Sequence, residues 1–352
     1  MRSMGPFAYG RPSLWGVIRK SPEDFVVEEQ LGFEPDVAEQ GEHLWLWIEK
    51  RGQNTLWVAQ ALAEWMGCHP SKVGFAGLKD RHAVTRQWIS IHLGNRPDPD
   101  WKTCAIEGVS ILKATRATRK IQRGRLAGNR FELTIRDWEC PVGTDWQSEM
   151  DERLGRVAVS GVPNFFGEQR FGDNNVGRAR RLFAGELHGK RSKPKQGFYL
   201  SAARSYLFNE VLSLRVAEQT WNRLMPGEVA QLDGSQSFFK PSEAETLSGT
   251  LDTRLESLDI HPTGPLPGIG EPVVDGDVAE LERTCLAAHA DLVDGLCRFN
   301  VKAMRRSLRS RVGDLKWQWQ SEAGEPILRL SFGLSAGCFA TTVLRELIAY
   351  QP

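Results

Sequence analysis

The order of the predicted elements indicates an α+β fold. Strand-like segments dominate before about residue 140, helical patterns fill the middle of the chain, and a strand followed by a helix closes it. The return of a strand near the end also indicates that the middle is inserted into a first domain that is split in sequence.

The first part of the chain contains the strand-like segments. Residues 44–48 (LWLWI) are rich in aromatic and branched side chains and predict a strand. Asn54 can cap a helix over 55–66, because its side chain can accept from a free backbone N–H. The alternation of residues 87–93 and 130–135 predicts half-buried strands. The apolar face of the predicted helix consists of Leu56, Ala59, Leu62, Ala63 and Met66.

The remainder is predicted to be mostly helical. Its helical patterns cover residues 151–160, 201–218 with Ser201 as the cap, 278–304 with a break near Gly295, and 341–350. A strand is predicted over 327–332. The Pro and Gly residues between His261 and Gly276 indicate a loop.

Composition narrows the class of protein. A length of 352 residues suggests two domains. No apolar run approaches the roughly 20 residues of a membrane span, and residues 1–10 lack the pattern of a secretory signal. The six cysteines contain no CxxC pair, which argues against a zinc site or a disulfide framework. We therefore expect a cytoplasmic protein without a membrane segment.

The charge distribution favours a polyanionic partner. The net charge is only +1, but basic side chains are clustered while residues 227–294 are rich in acids. Such asymmetry can create a positive face on a nearly neutral protein, although solvated helix faces would give the same pattern. The three basic stretches are Lys113, Arg116, Arg119, Lys120, Arg123, Arg125 and Arg130; Arg178, Arg180, Arg181, Lys190, Arg191, Lys193 and Lys195; and Arg298, Lys302, Arg305, Arg306, Arg309 and Arg311.

The segment Val73–Trp88 is the densest in chemically active side chains. Its single carboxylate, Asp80, lies between Lys79 and Arg81, and two glycines before it permit a tight turn. Neighbouring cations favour the ionised form of a carboxylate, which suits a nucleophile or a base. An ion pair in a surface turn is the alternative that the residues alone leave open.

Other kinds of site lack sequence support. There is no HxH or HExxH spacing for a metal, no P-loop, and no G-x-S-x-G elbow. Gly268-Ile269-Gly270 lacks the third glycine of a dinucleotide loop. We therefore expect neither a metal nor a cofactor.

Residues Gly74–Thr85 (GFAGLKDRHAVT) resemble the catalytic motif of the TruD family, the tRNA pseudouridine-13 synthases. Leu78 stands where that family often has Gln, and Phe165 where Tyr is common. Further segments resemble the same family in the same order, so the resemblance spans nearly the whole chain. These segments are Ser21–Glu28, Ala127–Phe131, Gly161–Gly172, Leu200–Asn209 and Ala336–Thr341.

The resemblance implies a cofactor-free isomerisation of uridine in tRNA to pseudouridine, with Asp80 as the catalytic aspartate. Asp80 would act either as a nucleophile on the sugar or base, or as a base toward a sugar proton. Phe25, Asn129 and Phe339 would line the uridine pocket. Lys79 would tune the charge of Asp80 or contact phosphate.

The resemblance also implies a domain organisation. A pseudouridine synthase domain with a mixed, largely antiparallel sheet would comprise residues 1–160 and 310–352. An inserted α+β TRUD domain, residues 161–309, would form the second arm of a V-shaped cleft. We expect a monomer that binds tRNA. The competing hypotheses are a non-catalytic tRNA-binding protein and a hydrolase acting through Asp80.

Overall fold

The chain forms two compact units in a computed structural model that describes residues 5–38, 41–140, 143, 145–187, 193–271 and 273–350. The sheet unit contains Leu14–Thr144, Gly313–Gly337 and Ala349–Pro352. The helical unit contains Met1–Ser13, Asp145–Val312 and Cys338–Ile348.

The strands are numbered in chain order. They are β1 (Trp15–Ile18), β2 (Phe25–Gln30), β3 (His43–Arg51), β4 (Val73–Phe75), β5 (Val84–His92), β6 (Val109–Ala117), β7 (Gly128–Glu139), β8 (Val162–Pro163), β9 (Ala230–Leu232), β10 (Phe238–Phe239), β11 (Ile260–Leu266), β12 (Met304–Ser307), β13 (Arg309–Ser310), β14 (Gly313–Glu322) and β15 (Glu325–Ser335).

The helices are numbered in the same way. They are α1 (Thr55–Trp65), α2 (Trp146–Ser160), α3 (Asn175–Phe183), α4 (Lys193–Ala217), α5 (Glu243–Ser248), α6 (Asp252–Glu256), α7 (Gly276–Ala287), α8 (Ala290–Arg298) and α9 (Ala340–Leu347). Within the described residues, no helix is long and apolar enough to cross a membrane.

One mixed sheet forms the sheet unit. Its strands run in the order β14-β15-β7-β2-β5-β3-β6, with β1 beside β7 and β4 beside β5. Along this path β2 and β5 pair in parallel and the other described neighbours are antiparallel. The predicted α+β class with a largely antiparallel sheet is therefore confirmed.

Helix α1 covers one face of this sheet. The Asn54 side chain accepts from Trp57 N at 3.0 Å, as predicted for its cap, and a cap of this kind contributes about 1 kcal/mol. The apolar face is only partly as predicted, because Leu56 is exposed and Val58 is buried beside Leu62. Thr55, the first residue of α1, is also buried.

Helix α4 is the centre of the helical unit, where it packs against α3, α7, α8 and β11. The prediction that a helix begins at Ser201 is wrong, since α4 already begins at Lys193. The predicted helix over 278–304 is instead α7 and α8, which are separated at Ala288–His289 rather than near Gly295. Met304, the last residue of the predicted helix, instead begins strand β12.

The predicted loop between His261 and Gly276 is wrong over its first part, because Ile260–Leu266 forms β11. This strand pairs with β9 and β12 in a four-stranded sheet of order β10-β9-β11-β12. A Cβ at Gly264 would lie 2.7 Å from Leu308 and 3.1 Å from Phe208. The glycine therefore marks close packing of a strand rather than a turn.

The two units divide the chain differently from the predicted domains. Helices α2 and α9 belong to the helical unit by their packing, whereas the sequence resemblance assigns 1–160 and 310–352 to the split domain. Packing and chain insertion are different criteria, so the insertion of 161–309 stays a prediction.

Candidate active site

Asp80 lies in the loop between β4 and β5, at one end of the sheet. Its side chain is 43% exposed, and its Oδ2 accepts from Arg19 Nη2 at 3.1 Å. The guanidinium forms an ion pair with the carboxylate and leaves the group open to solvent. This arrangement gives a reachable carboxylate at the position that the sequence predicts.

Arg19 was not predicted from the sequence, although it lies two residues before the Ser21–Glu28 motif. It follows β1 with a φ of 61°, an uncommon conformation for a residue other than glycine. Its guanidinium lies 3.9 Å from the centre of the Phe25 ring. Phe25 is 2% exposed and contacts Phe131 edge to face. In this structure the Phe25 ring therefore supports Arg19 by a cation–π contact.

Lys79 points into the sheet unit rather than toward solvent. Its ammonium is 2.9 Å from Glu29 Oε2, and the two side chains are 4% and 0% exposed. A buried pair of this kind fixes the residue next to Asp80, because separating the charges would leave one of them uncompensated. The ion pair turns the Lys79 ammonium toward Glu29 and away from solvent, and its role toward Asp80 or phosphate stays a prediction.

The loop between β4 and β5, residues 76–83, is called the catalytic loop here, and Lys50, a fully buried residue of β3, binds it from the interior of the sheet unit. Its Nζ donates to the carbonyls of Asp80 at 2.7 Å, Lys79 at 3.4 Å and Gln53 at 2.7 Å. Burial lowers the pKa of Lys50 to about 8, against the opposing influence of the Asp80 charge. An ammonium has three donors, which matches three carbonyl acceptors.

Two neutral side chains complete the attachment of the loop. Thr55 Oγ1 accepts from Lys79 N at 2.9 Å and donates to Gln87 Oε1 at 3.1 Å. Gln87 Nε2 in turn donates to Gly77 O at 3.1 Å. The loop main chain is thus tied to α1 and β5, so the position of Asp80 is determined by buried groups. By contrast, Arg81 and His82 are exposed.

Asn129 lies on β7 directly opposite Glu29 of β2, within the same face as the Lys79 ion pair. Within the described part of the chain, Asn129 Oδ1 and Glu29 Oε1 are buried and have no hydrogen-bond partner. Phe25 is four residues before Glu29 on the same strand and therefore shares its face. The sheet unit thus brings Phe25, Lys79, Asp80 and Asn129 to one region.

Phe339 belongs to the helical unit, where it immediately precedes α9. Its ring centre is 6.5 Å from that of Phe166, and it packs against the cluster that includes Phe165 and Phe208. Because Phe339 and Asp80 belong to different units, their sharing of one pocket stays a prediction.

A concavity of about 550 Å³ in the sheet unit contains none of the predicted site residues. Its lining includes Val26, which follows Phe25 on β2 and therefore faces the opposite side of the sheet. Across the described residues, no three His, Cys, Asp or Glu side chains are grouped as a metal site would require.

The basic loop, residues 118–127, packs beside the catalytic loop. Gly124 N donates to Ala76 O at 2.9 Å, and Ile121 N donates to Ser90 Oγ at 2.9 Å. Four cations of the basic loop are exposed, and none forms an ion pair with a described carboxylate. They are Arg119, Lys120, Arg123 and Arg125.

The architecture is that of a pseudouridine synthase. A crystal structure named for tRNA pseudouridine synthase D (TruD) from Methanosarcina mazei has the same fold, with a TM-score of 0.76 and 21% identity. The similarity covers 99% of this chain and 97% of that chain.

The chain belongs to the tRNA pseudouridine synthase D (TruD) family. The family profile matches residues 3–180 and 191–347. The chain is 44% identical over 349 residues to tRNA pseudouridine synthase D of Methylococcus capsulatus, covering 99% of this chain and 95% of that protein. It is 41% identical over 343 residues to the protein of that name from Hydrogenovibrio crunogenus, covering 97% and 95%. The resemblance of the sequence motifs to this family is confirmed.

Proposed function

We propose that this chain isomerises uridine to pseudouridine in tRNA, at position 13, with Asp80 as the catalytic carboxylate. The names of its relatives support the reaction. The observation that carries the role of Asp80 is its attachment: a solvent-accessible carboxylate paired with Arg19 on a loop that Lys50 binds from within the unit. A protein that only bound RNA would not need such a carboxylate.

The chemistry requires one bond to be exchanged within the substrate. The N1–C1′ bond breaks, the uracil turns, and C5 bonds to C1′; C5 then loses its hydrogen and N1 gains a proton. Asp80 assists either as a nucleophile toward the sugar or base, or as a base toward a sugar proton. Both routes use the carboxylate of Asp80, which Arg19 holds in place through an ion pair.

The uridine must leave its stack to reach Asp80. Asn129 can bind the uracil, since its buried Oδ1 can accept from an N–H of the base edge. Phe25 acts by supporting Arg19, the ion-pair partner of Asp80. The family resemblance is the basis for proposing that Phe339 stacks on the uracil, an interaction worth roughly 1–3 kcal/mol per base.

The basic loop is proposed to bind tRNA phosphates next to the pocket. Its exposed cations are available to a polyanion, and its main chain contacts the catalytic loop at Ala76. Phosphate contacts of this kind position the substrate without reading its sequence. We further propose that the protein acts in the cytoplasm as a monomer.

The test is to map pseudouridine in tRNA from cells with and without this protein, and after return of the Asp80→Asn variant. We expect a modification at position 13 that disappears with the protein and is not restored by the variant. The purified enzyme should remain active after EDTA treatment once the tRNA is folded. An unchanged tRNA modification pattern in cells lacking the protein would contradict the proposal.

A further inference from the structure

Two arginines of the helical unit lie on one side of α4 without a carboxylate partner. Arg170 Nη1 donates to Ser201 Oγ at 3.2 Å. Arg204 follows Ser201 by three residues and therefore projects from the same side of the helix. Neither arginine forms an ion pair within the described residues, although Glu168 and Asp173 are close to Arg170 in sequence.

No carboxylate of the described residues forms an ion pair with Arg204. Its Nε and Nη2 are buried, and no described acceptor binds them. Burial alone lowers the pKa of Arg204. Arg215 on the same helix differs, because its guanidinium is 2.9 Å from Glu228 and the pair is fully buried. Arg204 as a whole is only partly buried, but guanidinium donors that are buried without an acceptor are costly. An anion bound at Arg204 would supply that acceptor.

Further positive charge lies around Phe166, close to Arg170. The guanidinium of Arg170 is 5.4 Å from the centre of the Phe166 ring, and that of Arg306 is 4.2 Å away. Helix α9 begins beside the same ring, because Phe339, the residue before it, packs against Phe166. Among the described residues, no side chain caps the N-terminus of this helix. A helix N-terminus carries a partial positive charge and binds phosphates in many proteins.

We infer that Arg170, Arg204 and the N-terminus of α9 form a binding site for a phosphodiester of a polynucleotide. Guanidinium groups suit this ligand because their planar donors match two phosphate oxygens. Arg170 is exposed, so the site opens at the surface, where a continuous backbone can pass. The inference rests on the proposed function for the identity of the polynucleotide as tRNA.

The experiment measures tRNA binding by the full-length protein over a series of KCl concentrations. The variants are Arg204→Met, Arg170→Gln and their combination, and Arg204→Lys keeps one charge. Arg283→Gln is the matched control, because Arg283 is an exposed helical-unit arginine paired with Glu280. Thermal unfolding of each variant separates loss of binding from loss of the fold.

We expect the double variant to reduce the slope of log Kd against log salt by about 1, and to weaken binding about tenfold, as when one phosphate is no longer bound. Arg204→Lys should retain part of the slope. Inorganic phosphate and uridine monophosphate should compete poorly with tRNA, and strong competition would assign the site to a small anion instead.

If the double variant has the same slope of log Kd against log salt as Arg283→Gln, the inference is overturned, whether or not the enzyme forms pseudouridine. If Arg204→Met unfolds the protein, the exposed Arg170→Gln decides the outcome. Absence of pseudouridine formation by the wild type, together with a reduced slope in the double variant, would contradict the proposed function but support the phosphate site.

Discussion

Two basic stretches that look alike in sequence differ in burial and pairing in the structure. In the basic loop of the sheet unit, Arg119, Lys120 and Arg123 are exposed and make no described ion pair. In the stretch from Arg298 to Arg311, Arg305 binds Glu282 at 2.6 Å and Arg309 is buried against His261. The basic loop can bind a polyanion, whereas much of the stretch from Arg298 to Arg311 stabilises the helical unit.

The difference teaches that a run of cations does not by itself indicate a binding face. The expectation that the third stretch binds a polyanion does not fit Arg305 and Arg309, because β12 and β13 place them among buried acceptors. The second stretch is described only in part: Lys190, Arg191 and the Lys193 side chain lie outside the described residues. Pairing with carboxylates separates the two roles more reliably than charge counting.

The largest expected effect breaks a structural pair. Arg305→Met leaves the nearly buried Glu282 without its partner, and we expect a loss of about 3–5 kcal/mol of unfolding free energy. Denaturant unfolding measures this loss, and Arg305→Met combined with Glu282→Leu should recover much of it. A loss below about 1 kcal/mol would place Arg305 with the surface cations.

Lys50→Met should act on catalysis rather than on tRNA binding. The variant removes the donor shared by the carbonyls of Lys79 and Asp80. We expect the single-turnover rate with saturating tRNA to fall at least about tenfold, equivalent to about 1.4 kcal/mol in the barrier. Lys50→Arg is the charge-retaining control. A normal rate for Lys50→Met would mean that the other attachments suffice.

The pKa of Lys50 gives this prediction a pH dependence. Its folded value of about 8 lies below the ordinary lysine value of about 10.4. Between these values the unfolded chain binds more protons, so the lysine's contribution to stability rises with pH. The rate should instead fall above about pH 8, because a neutral amine has two donors for three carbonyls. Neither trend should persist in Lys50→Met.

The smallest effect concerns the basic loop. Replacing Arg119, Lys120 and Arg123 with Ala should reduce the salt slope of tRNA binding by about 0.7–0.9 for each phosphate that the loop no longer binds. Stability should change by less than about 0.5 kcal/mol for each surface substitution. A slope equal to that of the wild type would show that the basic loop does not contact tRNA.

The sequence predicts the fold class and the catalytic loop, but not what determines the position of that loop. Asp80 could be found because it is the single acid among cations in a segment that resembles the catalytic motif of the TruD family. Lys50 and Glu29 could not, because a charged residue in an alternating strand is normally expected on the solvent side. Their burial depends on partners far away in sequence, at Lys79 and Asp80.

Errors in the element boundaries have a similar origin. Leu56 was placed on the wrong side of α1 because a short apolar helix fits more than one phase. The prolines and glycine of β11 resemble a loop signal, although neighbouring strands satisfy much of its backbone. Arg19 lacked any pattern of its own, and only its contact with Asp80 identifies it.

The most direct measurement is tritium release from tRNA labelled at uracil C5, with wild-type protein and with Asp80→Asn under single-turnover conditions. Bonding of C5 to C1′ requires loss of the C5 hydrogen, so release reports the isomerisation itself. We predict release by the wild type and none detectable with Asp80→Asn, while both proteins bind tRNA with similar Kd. Release by Asp80→Asn at a rate near that of the wild type would contradict the role of this carboxylate.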